Sequence, residues 1–174
     1  LPLLAIPQPI ETMRVILFED QKAADLHPAS LARPTATIPC GGYRLEELVQ
    51  FLDVPVIHAP RTYLHGVIPA VDREMLVHQG DDYHLFINGR IVPSQETLGH
   101  LKEWVAMPEP GIVVDREILL AALIPADLLT SGDLNAENLI EIVSRNKIPR
   151  REISFSAFDF PHHIIQQHLE CLQN

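Results

Sequence analysis

"MRVILFED", Met13 to Asp20, is the stretch on which the fold turns. Arg14 to Phe18 is a run that is β-branched or apolar at every position after Arg14 and is ended by two acids, Glu19 and Asp20. Such a run fits a strand buried on both faces of a parallel sheet better than a half-exposed, alternating one. It reads as the first and central strand, with Met13 as the natural beginning of a domain. After a polar loop, "YRLEELVQFL" places Leu45, Leu48, Val49 and Leu52 at helical spacing behind a flexible Gly41-Gly42 pair. Strand, loop and helix together make the founding unit of an α/β domain.

The pattern continues outward. "VPVIHA", residues 54–59, reads as the next strand and Pro60 stops it. "REMLVHQ", 73–79, reads as a short helix or turn, and "YHLFING", 83–89, as a second deeply buried strand that pivots at Asn88-Gly89. Ser94 is placed to cap a helix through "SQETLGHLKEW". "GIVVDREILLAALI" predicts a strand over 111–114 and then a helix carrying Leu119, Leu120, Leu123 and Ile124. Asn135 is the expected cap of an amphipathic helix, "REISFSAF" alternates like a half-exposed strand, and "PHHIIQQHLECLQ" predicts a helix with Pro161 in its first turn. Strands interleaved with helices imply a three-layer α/β/α sandwich, Rossmann-like, on a mainly parallel sheet. Ligands of such sheets sit beyond the carboxyl ends of the strands, which directs attention to Glu19, Asp20 and Asn88-Gly89-Arg90.

The chain of 174 residues, 47% hydrophobic, is long enough for one substantial core. Its formal charge of −10 repels phosphate backbones and anionic membranes, so nucleic acid and membrane are not expected partners. A small anion held by a local arginine remains compatible with that field. Cys40 and Cys171, far apart in the chain, form no zinc or disulfide framework, which points to a reducing cytoplasm. "LPLLAIPQPI" is too short to cross a bilayer and is broken by three prolines, so residues 1–12 are expected as an extended arm before a domain spanning 13–174, with a signal-peptide remnant as the alternative. His162, His163, His168 and Cys171 match no metal template, and neither a nucleophile elbow nor a Walker loop is present.

The segment "LHPASLARPTATIPCGGYRLEELV" resembles the sugar nucleotidyltransferases in the order and spacing of Leu26-His27-Pro28, Arg33-Pro34, Ile38-Pro39-Cys40-Gly41-Gly42, Leu45 and Glu47. More narrowly, "VILFED", "LARPTATIPCGGYR" and "LFINGRIVP" are similar to the sugar nucleotidyltransferase domain at the front of bacterial proteins resembling bifunctional UDP-N-acetylglucosamine pyrophosphorylases. The resemblance implies transfer of a nucleotidyl group from an NTP to a sugar 1-phosphate with release of pyrophosphate, and Mg2+ as the cofactor of an active enzyme. It implies a nucleotide or sugar phosphate as partner, and is compatible with a homo-oligomer and with an attached C-terminal β-helix. Family domains are longer, so part of the sugar-binding lobe is expected to be missing or to lie beyond Asn174.

Three departures stand against the family pattern. The loop "EDQKAADLHP" has no glycine to let backbone N–H groups approach a phosphate. Thr35 stands where the family has a lysine, and Arg90 where it has the aspartate that holds magnesium. An arginine cannot coordinate a cation, yet it can meet a phosphate directly with two parallel hydrogen bonds. The residues therefore suggest a rebuilt site, with Arg33 and Arg90 clamping an anion and supplying the catalytic charge. Asn88, Gly89 and the Gly41-Gly42 amides would hydrogen-bond the substrate, and Asp20 would hold a metal or the ribose. The alternative is a catalytically degenerate domain that binds a nucleotide sugar or a partner and regulates an attached acyltransferase.

Overall fold

The computed structural model describes residues 12–64, 80–129 and 136–172. The arm before Thr12, the expected turn at 73–79 and the Asn135 cap lie outside the described residues. Five strands, β1 (Met13–Phe18), β2 (Val56–Ala59), β3 (Tyr83–Asn88), β4 (Gly111–Asp115) and β5 (Ile118–Pro125), form one sheet in the order β2-β1-β3-β5-β4. β1 runs parallel to both its neighbours, with Ile16 opposite Ile57 on one side and Phe86 on the other. All of its residues are buried, as the sequence predicts for a strand covered on both faces. The middle position itself belongs to β3.

Among the described residues, α1 (Leu45–Leu48), tightening into a 3-10 turn at Val49–Leu52, α2 (Gln95–Ala106) and α3 (Ala136–Arg145) cover the sheet, and α4 (Pro161–Cys171) packs beside it. Val15, Leu17, Leu85 and Ile87 pack with Leu45, Leu48, Leu101 and Trp104 of α1 and α2. Ile16, Phe18 and Phe86 pack on the opposite face with Leu139 and Val143 of α3. The period-2 alternation of β1 thus feeds two cores, and each fully buried aliphatic or aromatic side chain in them contributes about 1.5–3 kcal/mol. Ser94 caps α2 as expected, its Oγ accepting the Thr97 N–H at 3.1 Å, while the Thr97 hydroxyl donates to the Val92 carbonyl at 2.8 Å.

Two expectations are corrected. The helix read over Leu119–Ile124 is instead strand β5, antiparallel to both β3 and β4, so the sheet is parallel in its β2-β1-β3 half and antiparallel in the rest. β4 and β5 form a hairpin whose two-residue turn, Arg116-Glu117, has φ of 46° and 66°. Positive φ at both positions is the type I′ geometry that matches strand twist, and it is usually signalled by Asn-Gly, which is missing here. The segment 151–158 is extended but joins no strand ladder, because its hydrogen bonds go to separate places. Arg151 N–H donates to the Ile112 carbonyl at 2.7 Å on the edge strand β4, and Phe158 N–H to the Arg90 carbonyl at 2.8 Å beyond β3.

Leu26, Ile38, Cys40, Val92 and Phe158 form a third, smaller cluster, against which Ile164 and Cys171 of α4 pack. At the amino ends of β1, β3 and β4, the buried Trp104 near the end of α2 donates its indole N–H to the Glu109 carbonyl at 3.0 Å, with the Arg151 guanidinium over its ring.

Candidate functional site

The chain leaves β1 to build β2 on one side and then crosses to build β3 on the other. The carboxyl end of β1 is therefore a topological switch point, the place where open α/β sheets form their ligand crevice. Two adjacent acids leave that point in opposite directions. Glu19, with a 3% exposed side chain, turns towards β2: its carboxylate accepts the Thr35 N–H at 2.7 Å, the Arg61 N–H at 2.9 Å and Arg61 Nε at 3.1 Å. Asp20 turns towards β3, where Arg90 grips both its oxygens, Nε to Oδ1 at 2.9 Å and Nη2 to Oδ2 at 2.7 Å.

Arg90 is fully buried, and its remaining terminal nitrogen donates to the Phe158 carbonyl at 2.7 Å and to Asp159 at 3.3 Å. Its fork is therefore committed to protein acceptors. Asn88 is buried as well: Nδ2 donates to Asp20 at 2.8 Å and to the Leu119 carbonyl at 3.0 Å, and Oδ1 accepts the Arg90 N–H at 3.0 Å. The structure thus brings Asp20, Asn88 and Arg90 together, but as an internal network; that differs from an arginine held open for phosphate. The reason is electrostatic: a guanidinium with no solvent access needs carboxylates beside it, and Asp20, gripped through both oxygens, and Asp159 supply them.

Gly89 serves approach rather than ligand contact. A Cβ there would collide with the Thr35 hydroxyl and lie 3.1 Å from the Ala36 nitrogen, so only glycine lets the turn at Thr35–Thr37 settle on the end of β3. Gly41 and Gly42, both at positive φ, form a tight turn closed by paired hydrogen bonds between Cys40 and Tyr43. The Gly41 N–H donates to His168 Nδ1 of α4 at 3.1 Å, so that amide does not face the crevice. Arg33 is exposed on the loop beside Thr35, whereas Arg90 is buried and engaged with Asp20 and the Phe158 carbonyl, so Arg90 is not offered as one half of the clamp expected from the sequence.

Sequence reasoning missed Arg61. It follows β2 directly after Pro60, and its position just past a strand's carboxyl end is the signal that marks it. Arg61 Nη2 donates to the Ser30 and Arg33 carbonyls, holding the loop that carries Arg33, and the guanidinium lies over the Tyr63 ring. Two buried donors at this mouth, Arg61 Nη1 and the Thr35 hydroxyl, have no hydrogen-bond partner among the described residues. A donor left so costs about 1–3 kcal/mol, which a ligand oxygen would return.

A magnesium ion does not fit the carboxylates here. The Glu19 and Asp20 oxygens already accept from arginine and amide donors, and no cluster of three or more His, Cys, Asp or Glu suited to a metal exists among the described residues. A cavity of about 320 Å3, lined by His100, Trp104, Met107, Glu109, Arg151 and Glu152, opens at the amino end of β4. It is remote from the switch point, and its arginine is already paired with Glu109 at 2.7 Å. The crevice at β1 is the better candidate on topology. No described helix is long and apolar enough to cross a membrane.

Comparison with known proteins follows the same line. A family model described as sugar nucleotidyl transferase matches residues 15–174. A solved nucleotidyl transferase from Methanothermobacter thermautotrophicus superposes with a TM-score of 0.54 at 12% identity, over 93% of this chain and 98% of that one. A Bacillus anthracis protein assigned as a glucose-1-phosphate thymidylyltransferase, solved with sucrose, gives a TM-score of 0.49 at 12% identity, over 94% of this chain and 96% of that one. Identity this low makes the archaeal likeness one of fold alone. No curated protein sequence matches the chain.

Proposed function

The chain belongs to the sugar nucleotidyl transferase family, and from that premise we propose that it transfers a nucleotidyl group from an NTP to a sugar 1-phosphate at the β1 switch point, releasing pyrophosphate. The observation that carries the reading is the pair of uncommitted buried donors, Arg61 Nη1 and Thr35 Oγ1, in that crevice. Phosphate oxygens are the acceptors such donors suit. The sugar phosphate oxygen attacks the α-phosphorus in line and pyrophosphate leaves, so the protein's work is positioning and neutralising charge. Thr35 and Arg61 orient the phosphates, the exposed Arg33 beside them neutralises developing charge, and Asp20–Arg90–Asn88 braces the floor. A cytoplasmic setting supplies both substrates.

Pyrophosphate release with each of the four NTPs and a panel of hexose 1-phosphates tests the reading. Arg33→Ala is expected to lower kcat/KM by about 100-fold. Thr35→Val is expected to weaken nucleotide binding about tenfold while raising stability, since it removes a buried hydroxyl that lacks a partner. Failure of all four NTPs to yield pyrophosphate overturns the proposal.

A second reading has its own observation: Arg90 and both strand-end acids are fully engaged within the protein. On that reading the domain binds a nucleotide sugar without turning it over and regulates an attached acyltransferase. Calorimetric binding of a UDP-sugar with no pyrophosphate release selects it.

A further inference from the structure

The chain has two cysteines, and the fold brings them together from opposite ends of the sequence. Cys40 lies just before the Gly41-Gly42 turn and is fully buried; Cys171 is the last residue of α4 and is partly exposed. Both belong to the third cluster. Contact between their elements is tight. A Cβ at Gly41 would fall on the Cys171 Cβ and stand 3.4 Å from its Sγ, and the neighbouring His168 accepts the Gly41 N–H. The Cys171 thiol stands close enough to Cys40 to oppose its ionisation.

We propose that Cys40 and Cys171 are a modification site: they form a reversible intrachain disulfide that fastens α4 to the turn before α1. Both are free thiols in the structure. Proximity without a bond is what a dithiol awaiting an oxidant requires, since bridging needs Cβ atoms about 3.5–4.5 Å apart.

Exposure sets the order of events. Burial, together with the neighbouring Cys171, pushes the Cys40 thiol up to about 12, so Cys40 is a poor first nucleophile. Cys171, at the solvent boundary, attacks a low-molecular-weight disulfide such as oxidised glutathione, forms a mixed disulfide and expels one glutathione thiolate. That capping removes the negative neighbour that had opposed ionisation of Cys40. Cys40 thiolate then attacks the Cys171 sulfur, the second glutathione leaves, and the two cysteine protons end on the two released thiols. Two thiols are oxidised and one external disulfide is reduced.

The bond would hold more than a helix end. Phe158 and Asp159, which contact Arg90, lie just before α4, and Phe158 shares its cluster. Fastening α4 therefore restrains the segment that closes the Asp20–Arg90 network.

The inference does not depend on the proposed activity and is tested separately. The full chain is incubated with oxidised glutathione, quenched in acid, digested without reductant and analysed by mass spectrometry. The expected product is monomeric, has no free thiol, yields one Cys40–Cys171 linked peptide and is restored by dithiothreitol. Cys40→Ser, and Cys40→Ala as a check on folding, should stop at one glutathione on Cys171; Cys171→Ser should leave Cys40 unreacted over the same time. Amide exchange in α4 should slow about tenfold on oxidation. Persistence of both thiols, a stable glutathione adduct on the unmutated chain, or bridging between two chains would each overturn the proposal.

Discussion

Removing the Asp20 carboxylate would leave the Arg90 guanidinium, 0% exposed, without its bidentate partner. Breaking one half of a buried ion pair costs about 3–5 kcal/mol, whereas replacing both halves with apolar groups is often close to neutral. Asp20→Ala is therefore expected to lower the urea-unfolding free energy by about 3–5 kcal/mol, and adding Arg90→Met to recover more than half of that loss. A loss below about 1 kcal/mol for Asp20→Ala alone would show that the Phe158 carbonyl and Asp159, not Asp20, hold Arg90 in place. At this scale the sequence identified Asp20, Asn88, Gly89 and Arg90 as strand-end residues, and the fold gathers them at the same crevice. It did not say what they face. Asp20 and Arg90 are 70 residues apart, and no spacing rule distinguishes a guanidinium offered to substrate from one given to a carboxylate.

Strand β5 shows where reading by element stops. "ILLAALIP" is buried at six of its eight positions, so it has neither the period of 2 nor that of 3.6 residues that separates strand from helix. β1 and β3 are at least as buried, but each carries one or more polar residues and is bounded by a polar or turn residue at strand length. The decisive information for β5 lay in Asp115-Arg116-Glu117, a hairpin turn built from residues that seldom adopt positive φ. The turn should accordingly be improvable. Replacing Arg116-Glu117 with Asn-Gly is expected to stabilise the domain by about 1 kcal/mol, seen as a rise in Tm of about 2–4 °C. An unchanged Tm would mean that the hairpin is held by its strands and not by its turn.

For the molecule as a whole, two histidines, His84 buried and His58 half-buried, tie stability to pH. Burial lowers the proton affinity of His84 and His58 below the ordinary 6.5, although Asp81 stands 3.6 Å from the first and Glu46 3.6 Å from the second. Desolvation outweighs the acids, and Arg14 adds to it at His84, so both rings are neutral in the fold at neutral pH. Below 6.5 the unfolded chain takes up these protons first. Stability is thus fully present above 6.5 and falls as pH drops towards the lower folded values, by at most about 1.4 kcal/mol per pH unit for each histidine. Urea midpoints between pH 7.5 and 5.5 should decline with acid, and His84→Leu should flatten the decline; a rise on acidification would show that the ion pairs prevail. The three-layer architecture on this scale was legible in the alternation of strands and helices. The reversal of direction beyond β3 was not, because it depends on that single hairpin.

Trp104 is the chain's one tryptophan, and it is sealed at the end of the sheet away from the β1 crevice. The protein consequently carries a single indole chromophore whose emission tracks the docking of α2 on the segment around Arg151. Global melting is expected to shift that emission to the red, whereas nucleotide addition is expected to leave it unchanged, so one fluorescence channel would read integrity apart from ligation.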